Sequence, residues 1–258
     1  MLNNQEERIV GVHADMSSRD EDDGGSVRQR SGWLIPAGVF IVTAVLSALF
    51  LLYYLAPSAN SVFDEHPSPT ARTDAIALSV DQLKFVIPAN FILYSSARQG
   101  GQRKDVALAA KLPDFHGYSD WYASTFADNS ADSPVVYLLI REDQLNLSEV
   151  QRLKRIYLSY VVDPAGKPGP FGLTQYVFRD DSGYRGEDLY VGQGTKGPVV
   201  LRCVRFSQTV PSPSCLRDLR LAHHVALTYR FKRAHLAQWL DIATGIDGLM
   251  HGFAQRQK

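Results

Sequence analysis

The chain has 258 residues, 45% of them hydrophobic and 21% charged, with a formal net charge of zero. That length supports one substantial domain with accessory segments. Without a basic excess to neutralise phosphates there is no global electrostatic argument for nucleic acid, and none is expected as a partner.

Residues 1–32 carry Glu6, Glu7, Asp15, Asp20, Glu21, Asp22 and Asp23 against Arg8, Arg19, Arg28 and Arg30, a net of −3. The segment is polar, rich in Gly, Asp and Ser, and aperiodic, so it reads as a disordered tail. From Leu34 to Ala56 the chain runs LIPAGVFIVTAVLSALFLLYYLA without a charge. About 20 apolar residues span a bilayer core, and residues 33–56 are therefore expected to form a transmembrane helix that contacts lipid through 34–56. Trp33 and Tyr53–Tyr54 stand where aromatic rings favour the headgroup layer. The run exceeds the h-region of a signal peptide, so an uncleaved anchor is expected. Arg28 and Arg30 precede it, whereas the first basic residue after it is Arg72. Basic flanks stay inside, which predicts a cytoplasmic N-terminus and a periplasmic C-terminal domain on a bacterial inner membrane. Ala44 and Ala48 make a small-xxx-small pair that would let two helices approach as a homodimer.

Residues 57–75 hold three prolines and read as a linker; residues 76–258 read as the outer domain. IALSVDQLKFVIPANFILYS predicts two strands broken at Pro88-Ala89-Asn90, and VVYLLI at 135–140 a buried strand. Leu147–Val161 predicts a helix opened by a Ser148/Gln151 capping box, with Val150, Leu153, Tyr157 and Tyr160 on one face. LTQYVFR and LYVG read as strands joined by the turn DDSGYRGED, and VVLRCVRF and HVALTYRF as strands either side of a loop. An apolar stripe from Leu236 through Trp239, Ala243, Ile246 and Met250 to Phe253 predicts a closing helix over about 234–253. Strands in series with helices set apart from them argue α+β, with a mainly antiparallel sheet covered by amphipathic helices.

Cys203 and Cys215 are the only cysteines. Outside the cytoplasm they face oxidising conditions, C-x11-C matches no zinc spacing, and the intervening VRFSQTVPSPS is a strand that turns back. A structural disulfide is expected, worth about 3 kcal/mol by loop entropy. Adjacent His223 and His224 would point to opposite faces of a strand and are not expected to share a metal.

No nucleophile elbow, zincin helix, S-x-x-K or phosphate loop occurs, so no catalytic residue, metal ligand or cofactor is assigned. The most site-like cluster is KLPDFHGYSDWY, in which Asp114, His116, Tyr118 and Asp120 make a candidate ligand site; the bland reading is a structured loop capped by Asp120. Arg152, Lys154, Arg155, Arg202 and Arg205 read as solvated. The layout, with CLRDLRL, VALTYRF and the HLAQW-bearing helix, resembles bacterial single-pass membrane-anchored periplasmic proteins of unassigned function over most of residues 34–258. The resemblance implies an accessory or interaction protein of an envelope complex with a protein partner, binding rather than catalytic. The alternatives are an anchored hydrolase working around Asp114 and His116, and a sensor relaying to the acidic tail.

Overall fold

In a computed structural model of the chain, residues 32–55 and 66–254 are described. The expected disordered tail, Ala56 and residues 57–65 of the expected linker lie outside them. The chain divides into two units, one within residues 1–64 and one within residues 65–258.

In the first unit, helix α1 runs Leu34–Leu55 with no charged residue in its first or last turn. Pro36 falls in its first turn, where a missing N–H costs nothing. Side chains are described for residues 35–51, and Phe40, Leu46 and Phe50 are among those exposed. Taken over the described residues, no helix is long and apolar enough to cross a membrane.

The second unit runs β1 (Ala75–Val80), β2 (Leu83–Pro88), β3 (Gly101–Arg103), β4 (Asp105–Lys111), α2 (Ala123–Ala127), β5 (Val135–Glu142), α3 (Glu149–Arg155), β6 (Lys167–Pro168), β7 (Thr174–Val177), β8 (Glu187–Gly194), β9 (Gly197–Val204), β10 (Ser214–Ala222), β11 (Val225–Lys232) and α4 (Trp239–Phe253), with short 3₁₀ turns between. An eight-stranded sheet has the order β4-β5-β11-β10-β9-β8-β7-β6, antiparallel throughout; a smaller sheet, β2-β1-β3, lies beside it. The α+β class with a mainly antiparallel sheet therefore holds.

One face of the large sheet carries the main core. Leu108, Leu138, Ile140, Leu227 and Tyr229 alternate inward and meet Leu78, Phe85 and Ile87 of the small sheet and the apolar stripe of α4. Trp239, Ile242, Ile246, Met250 and Phe253 of α4 are all buried, each worth about 1.5–3 kcal/mol. On the opposite face Leu153, Ile156 and Tyr157 pack on Phe178, Leu189 and Val200 over β7–β9.

Four local expectations change. The first strand pair breaks at Asp81–Gln82, not at residues 88–90: Asp81 takes a positive φ of 51° to close a tight hairpin, and Ala89–Phe91 is a 3₁₀ turn. The helix expected over 147–161 stops at Arg155 and continues as a 3₁₀ turn at Tyr157–Tyr160, after the aromatic and β-branched Ile156-Tyr157 pair. The closing helix begins with a 3₁₀ segment, Arg233–Gln238. His223 and His224 sit in the β10–β11 turn, not in a strand, with ring centroids 4.0 Å apart.

Candidate functional site

The sheet has a seam. Strands β9 and β10 pair only at Cys215↔Cys203 and Leu216↔Arg202, then part. The two cysteines are fully buried cross-strand partners and are joined in a disulfide at the closed end of the seam. At the open end, the first turn of α3 reaches in. The Val200 N–H, which would otherwise face β10, donates to Glu149 Oε1 at 2.6 Å. Both carboxylate oxygens of Glu149 also accept from Arg217, at 2.8 Å each. Ser148 and Gln151 form the expected capping box, which fixes the turn that delivers Glu149.

Arg217 is 7% exposed, so its charge depends on this fork. Burial opposes that charge, but the Glu149 hydrogen bonds and the neighbouring Tyr229 and Glu149 charges raise the guanidinium pKa further. Tyr229 accepts from Arg217 Nη1 at 3.3 Å, and burial pushes its hydroxyl up to about 12. Beside the seam lies a groove of about 520 Å³ with Phe85, Leu219, Leu221 and Met250 in its lining. Lys196 and Asp247 pair at its rim, 3.4 Å apart. Two charge pairs in the lining, Glu149–Arg217 and Lys196–Asp247, are matched, while Arg220 donates only to the Asn146 carbonyl; the recess can seat an apolar side chain or short segment.

A second network surrounds the disulfide. Asp188 accepts from Arg205 at 2.9 Å and from Arg233 at 3.0 Å. Burial raises its carboxyl, but the two arginines outweigh this and hold it below the usual range. Across the sheet, Arg202 binds Glu187 at 2.8 Å and stacks over Tyr157 and Tyr184. Arg202 and Arg205, expected to be solvated, are instead bound to the acids of the DDSGYRGED turn, and Arg152 lies 3.8 Å from Asp143. Buried Lys232 donates to Ser212 Oγ at 2.6 Å and to Asn129 Oδ1 at 2.7 Å. It ties the disulfide loop to the turn before β5. Burial and the nearby Arg230 charge lower its pKa, and Asp128 acts against them. A serine and a buried lysine in contact have the composition of a nucleophile–base pair, but sequence spacing gave no hint of it: they are twenty residues apart and meet only through the β10–β11 pairing.

The loop holding Asp114, His116, Tyr118 and Asp120 is placed by packing. Phe115, with φ of 54°, inserts against Gly245 of α4, where an added Cβ would lie 1.9 Å from its ring. Asn90 Nδ2 donates to the Tyr118 carbonyl at 3.1 Å, and Tyr118 stacks edge-on with Phe126. Asp114, His116 and Asp120 are exposed. Among the described residues none of the three has a side-chain hydrogen bond or ion pair. Asp120 makes no cap, since Ser119 holds that position. His116 borders a shallow recess with Asn90 and Tyr122; Asp114 does not. Among the described residues no group of three His, Cys, Asp or Glu side chains could hold a metal ion.

No family model matches the chain, and no curated protein matches it. Among solved structures, an immunity protein of the Stenotrophomonas maltophilia type IV secretion system is similar in fold, with a TM-score of 0.51 and 13% sequence identity. The similarity covers 71% of this chain and 94% of that one. At this identity the likeness concerns the fold alone.

Proposed function

We propose that this chain is a single-pass, membrane-anchored periplasmic protein whose disulfide-stapled domain binds a protein partner in the envelope. The observation that carries the reading is the fold shared with an immunity protein of a secretion system. Binding is the work of such proteins, and known immunity pairs are among the tightest complexes. The anchor rests on the charge-free run 34–56, on the Arg28 and Arg30 flank, and on the exposed apolar side chains of α1, which water would not tolerate together. A buried disulfide suits an oxidising compartment. The resemblance to bacterial membrane-anchored periplasmic proteins agrees with that placement.

An anchored hydrolase would need Asp114 and His116 to converge on a third polar group, and their exposed, unbonded side chains do not favour it. The test is native mass spectrometry of the tagged full-length protein extracted in mild detergent from its own membrane. The expected species is a stoichiometric complex with a second polypeptide. A species holding only copies of this chain would contradict the reading.

A further inference from the structure

The groove holds two matched charge pairs and shares Arg220 with a second surface that is less closed. Register across β4, β5, β11 and β10 places outward-facing side chains in rows. One row reads Ala109, Tyr137, Arg230, Leu216; the next Ala107, Leu139, Thr228, Asp218; the third Asp105, Arg141, Ala226, Arg220. The inward residues of the same strands form the main core, so these rows share the opposite face. On that face, among the described residues, α3 covers β7–β9 and reaches β10, and Asn129 and Ser212 cover the Lys232 end of β11, which leaves the three rows between them.

Three features make the rows an interface. Ala107, Ala109 and Ala226 keep the face flat, although alanine is a poor strand former whose placement needs a reason beyond propensity. Tyr137, Leu139 and Leu216 are half-buried rather than covered, and Arg230 stacks over Tyr137 at 5.5 Å. Tyrosine and arginine are the residues that dominate interface hot spots. Third, the charge is unbalanced. Among the described residues Arg141, Arg220 and Arg230 have no carboxylate at ion-pair distance; of the two acids in the rows, Asp218 is engaged by Thr228 and by Arg202 at 3.8 Å, and Asp105, opposite Arg141, leaves the arginines in excess. Arg220 donates to the Asn146 carbonyl, in the loop that also carries exposed Leu145. Three rows over four strands span about 14 Å in each direction, the size of an interface core with room for a rim.

Resting on the binding role proposed above, we propose that this open face is the partner-binding surface and that it takes an acidic surface of a different protein. A second copy is the wrong occupant: it would bring three more arginines and only Asp105 as an unengaged acid, so a two-fold contact through this face would leave cations facing cations. An acidic partner instead pairs Arg141, Arg220 and Arg230 while covering Tyr137, Leu139 and Leu216.

The test places a benzophenone amino acid at Leu139 of the full-length chain in cells, and in a separate strain at Leu240 on the groove. Irradiation at Leu139 is expected to give one discrete protein adduct whose contact peptide, by mass spectrometry, is rich in Asp and Glu. Arg230→Glu is expected to lower that adduct about tenfold, with Cys203–Cys215 still oxidised as the sign of an intact fold. Adducts to lipid or to a second copy, or an adduct indifferent to Arg230→Glu, would overturn the proposal. A protein adduct from Leu240 alone would overturn it and leave the binding role standing. No protein adduct from either position would count against both.

Discussion

Glu149 closes the open end of the seam with three contacts: two to the buried Arg217 guanidinium and one to the Val200 N–H. Removing the charge of one partner in a buried pair costs about 3 kcal/mol, because the other is left uncompensated. Glu149→Gln should therefore lower the melting temperature by about 6–12 °C for a domain of this size. A shift within 2 °C or so would mean that water already satisfies Arg217. Tyr229 makes a pH-dependent contribution at the same place. Its hydroxyl is pushed by burial from 10.0 up to about 12, so the unfolded chain releases this proton first. The stability concerned is complete below about pH 10 and is lost as pH rises toward about 12, on the order of 3 kcal/mol in all. Urea unfolding at about pH 9 and about pH 11 should show this loss in the wild type and a smaller one in Tyr229→Phe. Equal losses would refute it. Neither effect was legible in the sequence: Glu149, Arg217 and Tyr229 are far apart in the chain and meet only where β9 and β10 part.

At the scale of elements, the clearest sequence signals were those with strong local chemistry. The Ser148/Gln151 box, the VVYLLI strand and the stripe of α4 stand where they were expected, and the DDSGYRGED turn does except for its last two residues, Glu187 and Asp188, which open β8. Four strands were not expected from the sequence, the short β3 and β6 and the longer β4 and β10. In β4, DVALAAK is alanine-rich with Val106 its one β-branched residue; it holds its place through seven cross-strand pairs with β5. In β10, Arg217 and Asp218 interrupt any apolar alternation, and Arg217 can face inward only because Glu149 meets it. The Cys203–Cys215 link is the most consequential element-level feature, because the seam has only one other backbone pair holding its halves together. Replacing both cysteines by alanine should cost about 3 kcal/mol by loop entropy. It should also raise hydrogen exchange in β9 and β10 before the rest of the sheet. Uniform acceleration across all eight strands would show that the link stabilises the fold without guarding the seam.

At the scale of the whole molecule, the chain carries a helix with exposed apolar side chains and a domain with an apolar-lined groove and a neighbouring basic face. Fold class and disulfide were readable from pattern and spacing. The open face was not, since its rows exist only after four strands, two of them unrecognised, are set in register. Everything assigned to binding depends on where residues 66–254 reside, so topology is the claim to test first. The direct measurement is thiol labelling of the full-length protein in intact cells with a membrane-impermeant maleimide, with and without reductant. The account predicts no labelling of Cys203 and Cys215 before reduction and labelling of both after it, once the domain is opened by mild denaturant. If both cysteines label only after the cells are permeabilised, and then without reductant, the domain lies in the cytoplasm with free thiols, contradicting the account.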